Sequence, residues 1–216
     1  MKQHQYKGRN IMVLYDAQRC IHAKECVRGA SAVFNPEAKP WVGPDNAEAK
    51  EIALVIQRCP TGALHYQFDD PKLAERADPS NSVLTSPDGP LFVRGNVSLV
   101  VDGGKKLLAD TRLALCRCGA SKNKPFCDNS HFAVAFHDPG NASPGESAGG
   151  EMATSGKLIV IPTANGPLHL QGQVTIRNAS GQVIFEGIET YLCRCGSSAN
   201  KPFCDGSHER VGFQAL

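Results

Sequence analysis

Apolar residues in this chain gather in short runs separated by polar, glycine-containing breaks. In the last two thirds the runs fall at residues 91–93, 97–101 and 107–108, then at 158–161, 168–170, 174–176 and 183–185. Each run is short, rich in β-branched or large apolar side chains, and bounded by turns such as 102–104 and 179–181. That pattern predicts short antiparallel strands. The first third reads differently. Ala49, Ile52, Ala53 and Ile56 recur at three- and four-residue steps, which predicts an amphipathic helix ending at Cys59-Pro60, with Asp45 as its cap and Glu48 completing a capping box. Residues 71–88, with Pro71, Pro79 and Pro87 among Ser and Asp, and residues 137–156, rich in Gly, Ser, Ala and Pro, lack an apolar period and read as linkers. Three modules result: 1–70, 89–136 and 157–216.

The second and third modules are copies. Residues 89–132 and 166–209 align without a gap at a constant offset of 77, with 20 identities in 44 positions. Gly89-Pro90-Leu91 matches Gly166-Pro167-Leu168, and Gly95 matches Gly172. The densest match is Asn123-Lys124-Pro125-Phe126-Cys127-Asp128 with Asn200-Lys201-Pro202-Phe203-Cys204-Asp205. Duplication at this level marks a repeated structural unit.

Composition narrows the function classes. With 216 residues, 41% hydrophobic and 20% charged, the chain can bury a core and is not a disordered sequence. A formal charge of +2 carries no basic excess of the size that phosphate-backbone binding needs, so nucleic acid is not an expected partner. The first ten residues are polar and residues 11–15 are the longest apolar stretch near the start, so neither a secretory core nor a membrane span is expected. No dinucleotide-binding turn, P-loop or nucleophile elbow appears, and the expectation is that the chain is not an enzyme.

The nine cysteines form three groups of three. An odd number cannot pair off completely, and a reducing compartment, best a bacterial cytoplasm, keeps thiols available as ligands. Each repeat carries Cys-x-Cys, eight residues, Cys, three residues, His: Cys116, Cys118, Cys127 and His131, then Cys193, Cys195, Cys204 and His208. Three thiolates and an imidazole suit one tetrahedral ion or one two-iron cluster. Cys127 and His131 share a face if Asp128 starts a short helix, as do Cys204 and His208 after Asp205. A structural zinc site uses the same donors, although Cys-x-Cys is tight for a zinc knuckle. Arg117, Arg194, Lys124 and Lys201 beside the ligands either raise the potential or are solvated loop charges, and Ser121 and Ser198 are candidate hydrogen-bond donors to cluster sulfur.

The run Cys-Arg-Cys-Gly-x-Ser-x-Asn-Lys-Pro-Phe-Cys-Asp-(Asn/Gly)-Ser-His resembles the CDGSH iron-sulfur domain of the mitoNEET proteins. The resemblance covers both repeats and implies a 2Fe-2S cluster on Cys116, Cys118, Cys127 and His131 and another on Cys193, Cys195, Cys204 and His208. It also implies an α+β chain in which the two mainly-β modules form an intrachain pseudo-dimer with an intertwined β-cap, acting as a monomer. Asn129 departs from the family's Gly, but Asn tolerates unusual backbone angles.

In the first module Cys20, Cys26 and Cys59-Pro60 fit the frame of bacterial ferredoxins, Cys-x2-Cys-x2-Cys with a distant Cys-Pro, except that Ala23 stands at the middle cysteine. The stretch resembles single-cluster ferredoxins that hold a 3Fe-4S cluster on three cysteines, and a divergent mono-cluster ferredoxin family often fused to CDGSH modules. That resemblance assigns Cys20, Cys26 and Cys59 to a 3Fe-4S cluster in a small ferredoxin-like module. Two other outcomes stand beside it: His22 as fourth ligand of a 4Fe-4S cluster, or three buried thiols without one. Trp41 is expected as a core anchor under the Cys loop. The expected role is one-electron transfer or cluster storage and delivery, with a redox protein, a reductase or an apo iron-sulfur acceptor as partner and no membrane. The alternative is a redox- or pH-responsive sensor acting on a protein partner.

Overall fold

The computed structural model describes residues 3–101, 104–143 and 156–215. The chain divides into two compact units, 1–76 and 77–216. The architecture is α+β and mostly β, with few and short helices.

In the first unit, β1 (His4–Lys7), β2 (Met12–Tyr15) and β3 (Leu64–Gln67) form an antiparallel sheet in that order. The helix α1 (Glu25–Gly29) and the helix α2 (Ala49–Ile56) complete it. The expected apolar stripe of α2 is present: Ile52, Ala53 and Ile56 are buried with Val13, Phe34 and Leu64. Its start differs from the expectation. Pro44 opens a separate 3-10 turn at Pro44–Asn46, so Asp45 caps nothing in α2. Its carboxylate instead accepts the Arg9 amide at 2.8 Å, and Glu48 occupies the cap position without a side-chain bond.

The second unit contains β4 (Ser82–Thr85), β5 (Leu91–Val100), β6 (Lys106–Leu115), β7 (Leu158–Pro162), β8 (Leu168–Arg177) and β9 (Val183–Leu192). Two four-residue helices, α3 (Ser130–Ala133) and α4 (Ser207–Arg210), follow the cysteine loops. The strands belong to one mixed sheet rather than an antiparallel set. β4 pairs antiparallel with β5 and parallel with β8, while β7 pairs antiparallel with β8 and parallel with β5. Each repeat's first strand is therefore shared with the other repeat. Val83, Leu91, Leu99, Leu158, Leu168 and Ile176, drawn from both, form one buried core.

The strands are also longer than the apolar runs. Residues 91–93 and 97–101 join in β5, and 168–170 and 174–176 in β8, across register shifts that start at Arg94 and Gln171. Gly95 (φ +133°) and Gly172 (φ +107°) lie within these shifts, where the partner strand changes. A Cβ on Gly172 would stand 2.4 Å from the Lys157 carbonyl oxygen. Gly172→Ala is expected to cost at least about 1–3 kcal/mol in backbone strain alone and to lower the thermal midpoint of the full chain. An unchanged midpoint would show that this crossing relaxes freely.

Both stretches read as linkers contain ordered chain. Residues 71–88 include a 3-10 turn at Pro71–Leu73 and β4, whose four residues are too few to show an apolar period. In 137–143, the Asp138 amide donates to the Asp88 carboxylate at 2.7 Å, and the Ala179 amide to the Gly140 carbonyl at 2.9 Å. Residues 144–155 of that stretch, and part of the 102–104 turn, lie outside the described residues.

Candidate metal centres

Both strands β6 and β9 end one residue before a Cys-x-Cys pair, and the loop that follows folds back onto the strand end. The Cys116 amide donates to the Pro125 carbonyl at 2.8 Å, and the Cys127 amide to the Ala114 carbonyl at 2.9 Å. The second repeat reproduces this with Cys193 to Pro202 and Cys204 to Tyr191, both at 2.8 Å. The sheet thus fixes the ligand loops at both ends.

The donors come in pairs. Cys116 and Cys118 place their Sγ atoms 3.7 Å apart, and Cys193 and Cys195 3.8 Å apart. Cys127 Sγ lies 3.6 Å from His131 Nδ1, and Cys204 Sγ 3.4 Å from His208 Nδ1. Two thiolates bound to one tetrahedral metal at about 2.3 Å are about 3.8 Å apart, so each pair has the spacing of two corners on one ion. Two pairs per repeat fit a group with two metal atoms.

Asp128 and Asp205 stand one residue before the cap positions, which Asn129 and Gly206 occupy, yet their carboxylates still bond the first helical amides. The Asp128 carboxylate accepts the Ser130 amide at 3.0 Å and the Lys122 amide at 2.8 Å, which starts α3 and sets His131 beside Cys127. Burial pushes this carboxyl up, but the bonds from Ser130 and Lys122 outweigh it and hold it below the usual range. Asp205 accepts the Ser207 amide at 3.0 Å and the Ala199 amide at 2.8 Å. Asn129 takes the left-handed conformation of its counterpart, with φ 70° against 81° at Gly206.

The serines have different partners from those expected. Ser121 and Ser198 donate their hydroxyls to the Phe126 and Phe203 carbonyls at 2.7 Å, not to sulfur. Backbone amides meet the sulfurs instead: Ala120 to Cys118 at 3.5 Å, Asn129 to Cys127 at 3.4 Å, and Ser197 and Gly206 to Cys195 and Cys204 at 3.4 and 3.5 Å. Hydrogen bonding from the Cys118 thiol outweighs burial and lowers Cys116 to about 6, with the Ser121 and Gly119 amides adding to it. Burial pushes Cys127 up to about 11.

Arg117 and Arg194 are not solvated loop charges; each is only 1% exposed. Arg117 donates to the Gly89 carbonyl at 2.9 Å and the Ser86 carbonyl at 2.6 Å, pairs with Asp138, and stacks on Phe136 at 5.1 Å. Arg194 donates to the Gly166 carbonyl at 3.0 Å and the Thr163 carbonyl at 2.6 Å, and stacks on Phe213 at 5.3 Å. Each guanidinium ties a Cys loop to the turn that opens its repeat. Lys124 and Lys201 donate to the Ser121 and Ser198 carbonyls, closing the same loop from outside.

The two loops touch one another. A Cβ on Gly119 would lie 2.5 Å from the Cys195 carbonyl oxygen, and one on Gly196 would lie 2.7 Å from that of Cys118. Both glycines have positive φ, so neither position tolerates a side chain. Gly119→Ala is expected to separate the loops and lower occupancy of both sites, read as iron and acid-labile sulfide per chain. Full occupancy of both sites would contradict that contact.

In the first unit, Cys20 ends a 3-10 turn, Cys26 lies in α1 and Cys59 follows α2. All three line one cavity of about 30 Å³, together with Tyr15, Ala23 and Trp41. Burial, then the charge of Cys59, pushes Cys26 up to about 11, and burial with a hydrogen bond to Cys20 raises Tyr15. Trp41 packs edge-on against Tyr15, ring centroids 4.9 Å apart, as a half-buried anchor. His22 is exposed and lines an outer groove with Cys20 and Cys26, not the cavity onto which Ala23 faces. The sequence reading missed Arg19, whose buried guanidinium donates to the Thr61 carbonyl and ties the Cys20 turn to the loop after Cys59. A single Arg beside a Cys gives no pattern to detect.

Paired Cys and Cys–His donors on one sheet, together with a three-cysteine cavity in the other unit, define an iron-sulfur binding protein. The family profile described as "Iron-binding zinc finger CDGSH type" matches residues 88–132 and 165–209, and the one described as "Divergent 4Fe-4S mono-cluster" matches residues 6–69. The chain carries a divergent 4Fe-4S mono-cluster domain at its N-terminal end, of the kind shared with the relatives below, followed by two CDGSH-type iron-binding domains. These are iron-sulfur binding families, not enzyme families. The N-terminal domain is similar to "Uncharacterized protein YjdI" of Escherichia coli K12 and of E. coli O157:H7. Each is 40% identical over 62 residues, covering 29% of this chain and 82% of the relative. No solved structure matches the chain. Among the described residues no helix is long and apolar enough to cross a membrane.

Proposed function

We propose that the chain is a three-cluster electron carrier. One 2Fe-2S cluster sits on Cys116, Cys118, Cys127 and His131, a second on Cys193, Cys195, Cys204 and His208, and a 3Fe-4S cluster on Cys20, Cys26 and Cys59. When bound, such clusters supply one-electron couples. The protein's part is to aim amides at the sulfurs, hold the loops through Arg117 and Arg194, and shield the Cys-x-Cys edges from water. The observation that carries the reading is the reciprocal contact of Gly119 and Gly196 with the opposite Cys loop, which brings the two Cys-x-Cys edges together. The exchanged pairings of β4 and β7 support an intrachain pseudo-dimer with an intertwined cap. The partner is a reductase or another redox protein, in the cytoplasm.

A second reading, cluster delivery to an apo acceptor, is favoured by the half-buried Cys204 and His208. The first experiment is reduction and reoxidation of the anaerobically purified chain by a ferredoxin reductase. Return of the full visible spectrum supports electron transfer; loss of the spectrum to an added apo-ferredoxin supports delivery.

The N-terminal family's description names a 4Fe-4S cluster, whereas this chain offers three thiolates and an alanine. About seven irons and about eight acid-labile sulfides per chain are expected, with an EPR signal from the oxidised 3Fe-4S cluster. Eight irons would replace it by a cubane, and four would leave the first unit empty.

A further inference from the structure

The two repeat sites have the same ligands but not the same cover. In the first repeat Cys127 and His131 are 4% and 6% exposed, and the Phe132 ring lies against the His131 imidazole with centroids 4.2 Å apart. At the matching positions of the second repeat, Cys204 and His208 are half-buried. There Phe132 is replaced by Glu209, whose side chain is 85% exposed with its carboxylate 3.9 Å from His208 Nε2. Asn129 is replaced by Gly206, which has open space where a Cβ would stand. Phe126, buried beneath the first loop, corresponds to a half-buried Phe203. The Cys-x-Cys edge shows no such difference, since Cys116 and Cys193 are both 1% exposed. Among the ligands, the difference in exposure lies on the Cys–His edge.

We propose that the sites are functionally unequal. The second repeat gives up its cluster through the Cys204–His208 edge while the first retains its own, and Phe132 and Glu209 set the difference. This rests on the assignment of both sites to 2Fe-2S clusters. Release there is ligand substitution. With a cluster bound, His208 Nδ1 would be exchanged for a donor atom of the acceptor, one bond lost and one gained, and no oxidation state would change. In the first repeat the Phe132 ring, itself 76% exposed, packs against the imidazole and adds apolar bulk there that hinders an incoming donor. In the second, a hydrated carboxylate leaves the approach open.

The test follows Fe2S2 mass increments by native mass spectrometry after excess EDTA is added to the full, anaerobically purified chain at neutral pH. Two waves of loss are expected, the first faster by about tenfold, equivalent to about 1.4 kcal/mol in barrier. Exchanging the two surface residues identifies the waves: Glu209→Phe is expected to slow the first, and Phe132→Glu to speed the second. A single wave in the unaltered chain, or two waves that neither substitution moves, overturns the inequality. A chain with no Fe2S2 increments before EDTA overturns the cluster assignment itself.

Discussion

Arg117→Met is expected to empty the first repeat site and destabilise the second unit. The guanidinium is fully buried and holds the Gly89 and Ser86 carbonyls and the Asp138 carboxylate together. Met fills much of the volume but leaves the carboxylate and two carbonyls without their donor. Removing one partner of a buried ion pair costs about 3–5 kcal/mol, or about 10–20 °C in the midpoint of a unit this size. Burial lowers the Arg117 pKa, and the nearby Asp138 charge opposes that, so the guanidinium depends on its partner for its place. Asp138→Asn should lose less, because an amide still accepts a bond. Thermal melts with iron counts check both; a Met variant with full iron and an unmoved midpoint would show that the loop holds itself.

His131→Cys is expected to keep the first cluster to a lower pH than the unaltered chain does, and to lower its potential towards the roughly −400 mV of all-cysteine plant-type centres. Burial lowers the His131 pKa, Asp128 pulling it up and Arg117 pushing it further down. The sign follows from proton linkage. Above the ordinary imidazole value of about 6.5 the ring is neutral in both folded and unfolded chains. As pH falls below that value the unfolded chain takes the proton first, so stability present above it is lost as pH falls through the lowered folded value. The proton competes with iron for Nδ1, so cluster loss tracks the same window. A thiolate ligand removes that competition. The check is visible absorbance against pH from 8 to 4 with a parallel redox titration; identical acid profiles in variant and parent would refute the role of the ring.

The donor pairs that the structure brings together were legible because metal binding demands particular donors at fixed spacing, and the offset of 77 repeats them without a gap. The α2 stripe was legible for a similar reason, since Ile52, Ala53 and Ile56 must face one core. The pairing of β4 with β8 and of β7 with β5 was not legible in the apolar pattern, and only the family resemblance implied an intertwined cap. Pairing partners of a strand are set by side chains far apart in the chain, and a four-residue strand shows almost no period. The two polar-looking linkers misled for that reason, with β4 and Asp138 inside them. The roles of Arg117 and Arg194 were half legible. Their place beside the ligands marked them, but burial depends on tertiary packing that no local pattern encodes.

Native mass spectrometry of the anaerobically purified chain tests the central claim most directly. The account predicts the apo mass plus two Fe2S2 increments and one Fe3S4 increment, with one Fe2S2 increment missing from Cys116→Ala and the other from Cys193→Ala. Adducts of zinc without sulfide, or Fe2S2 increments that survive both substitutions, would contradict it.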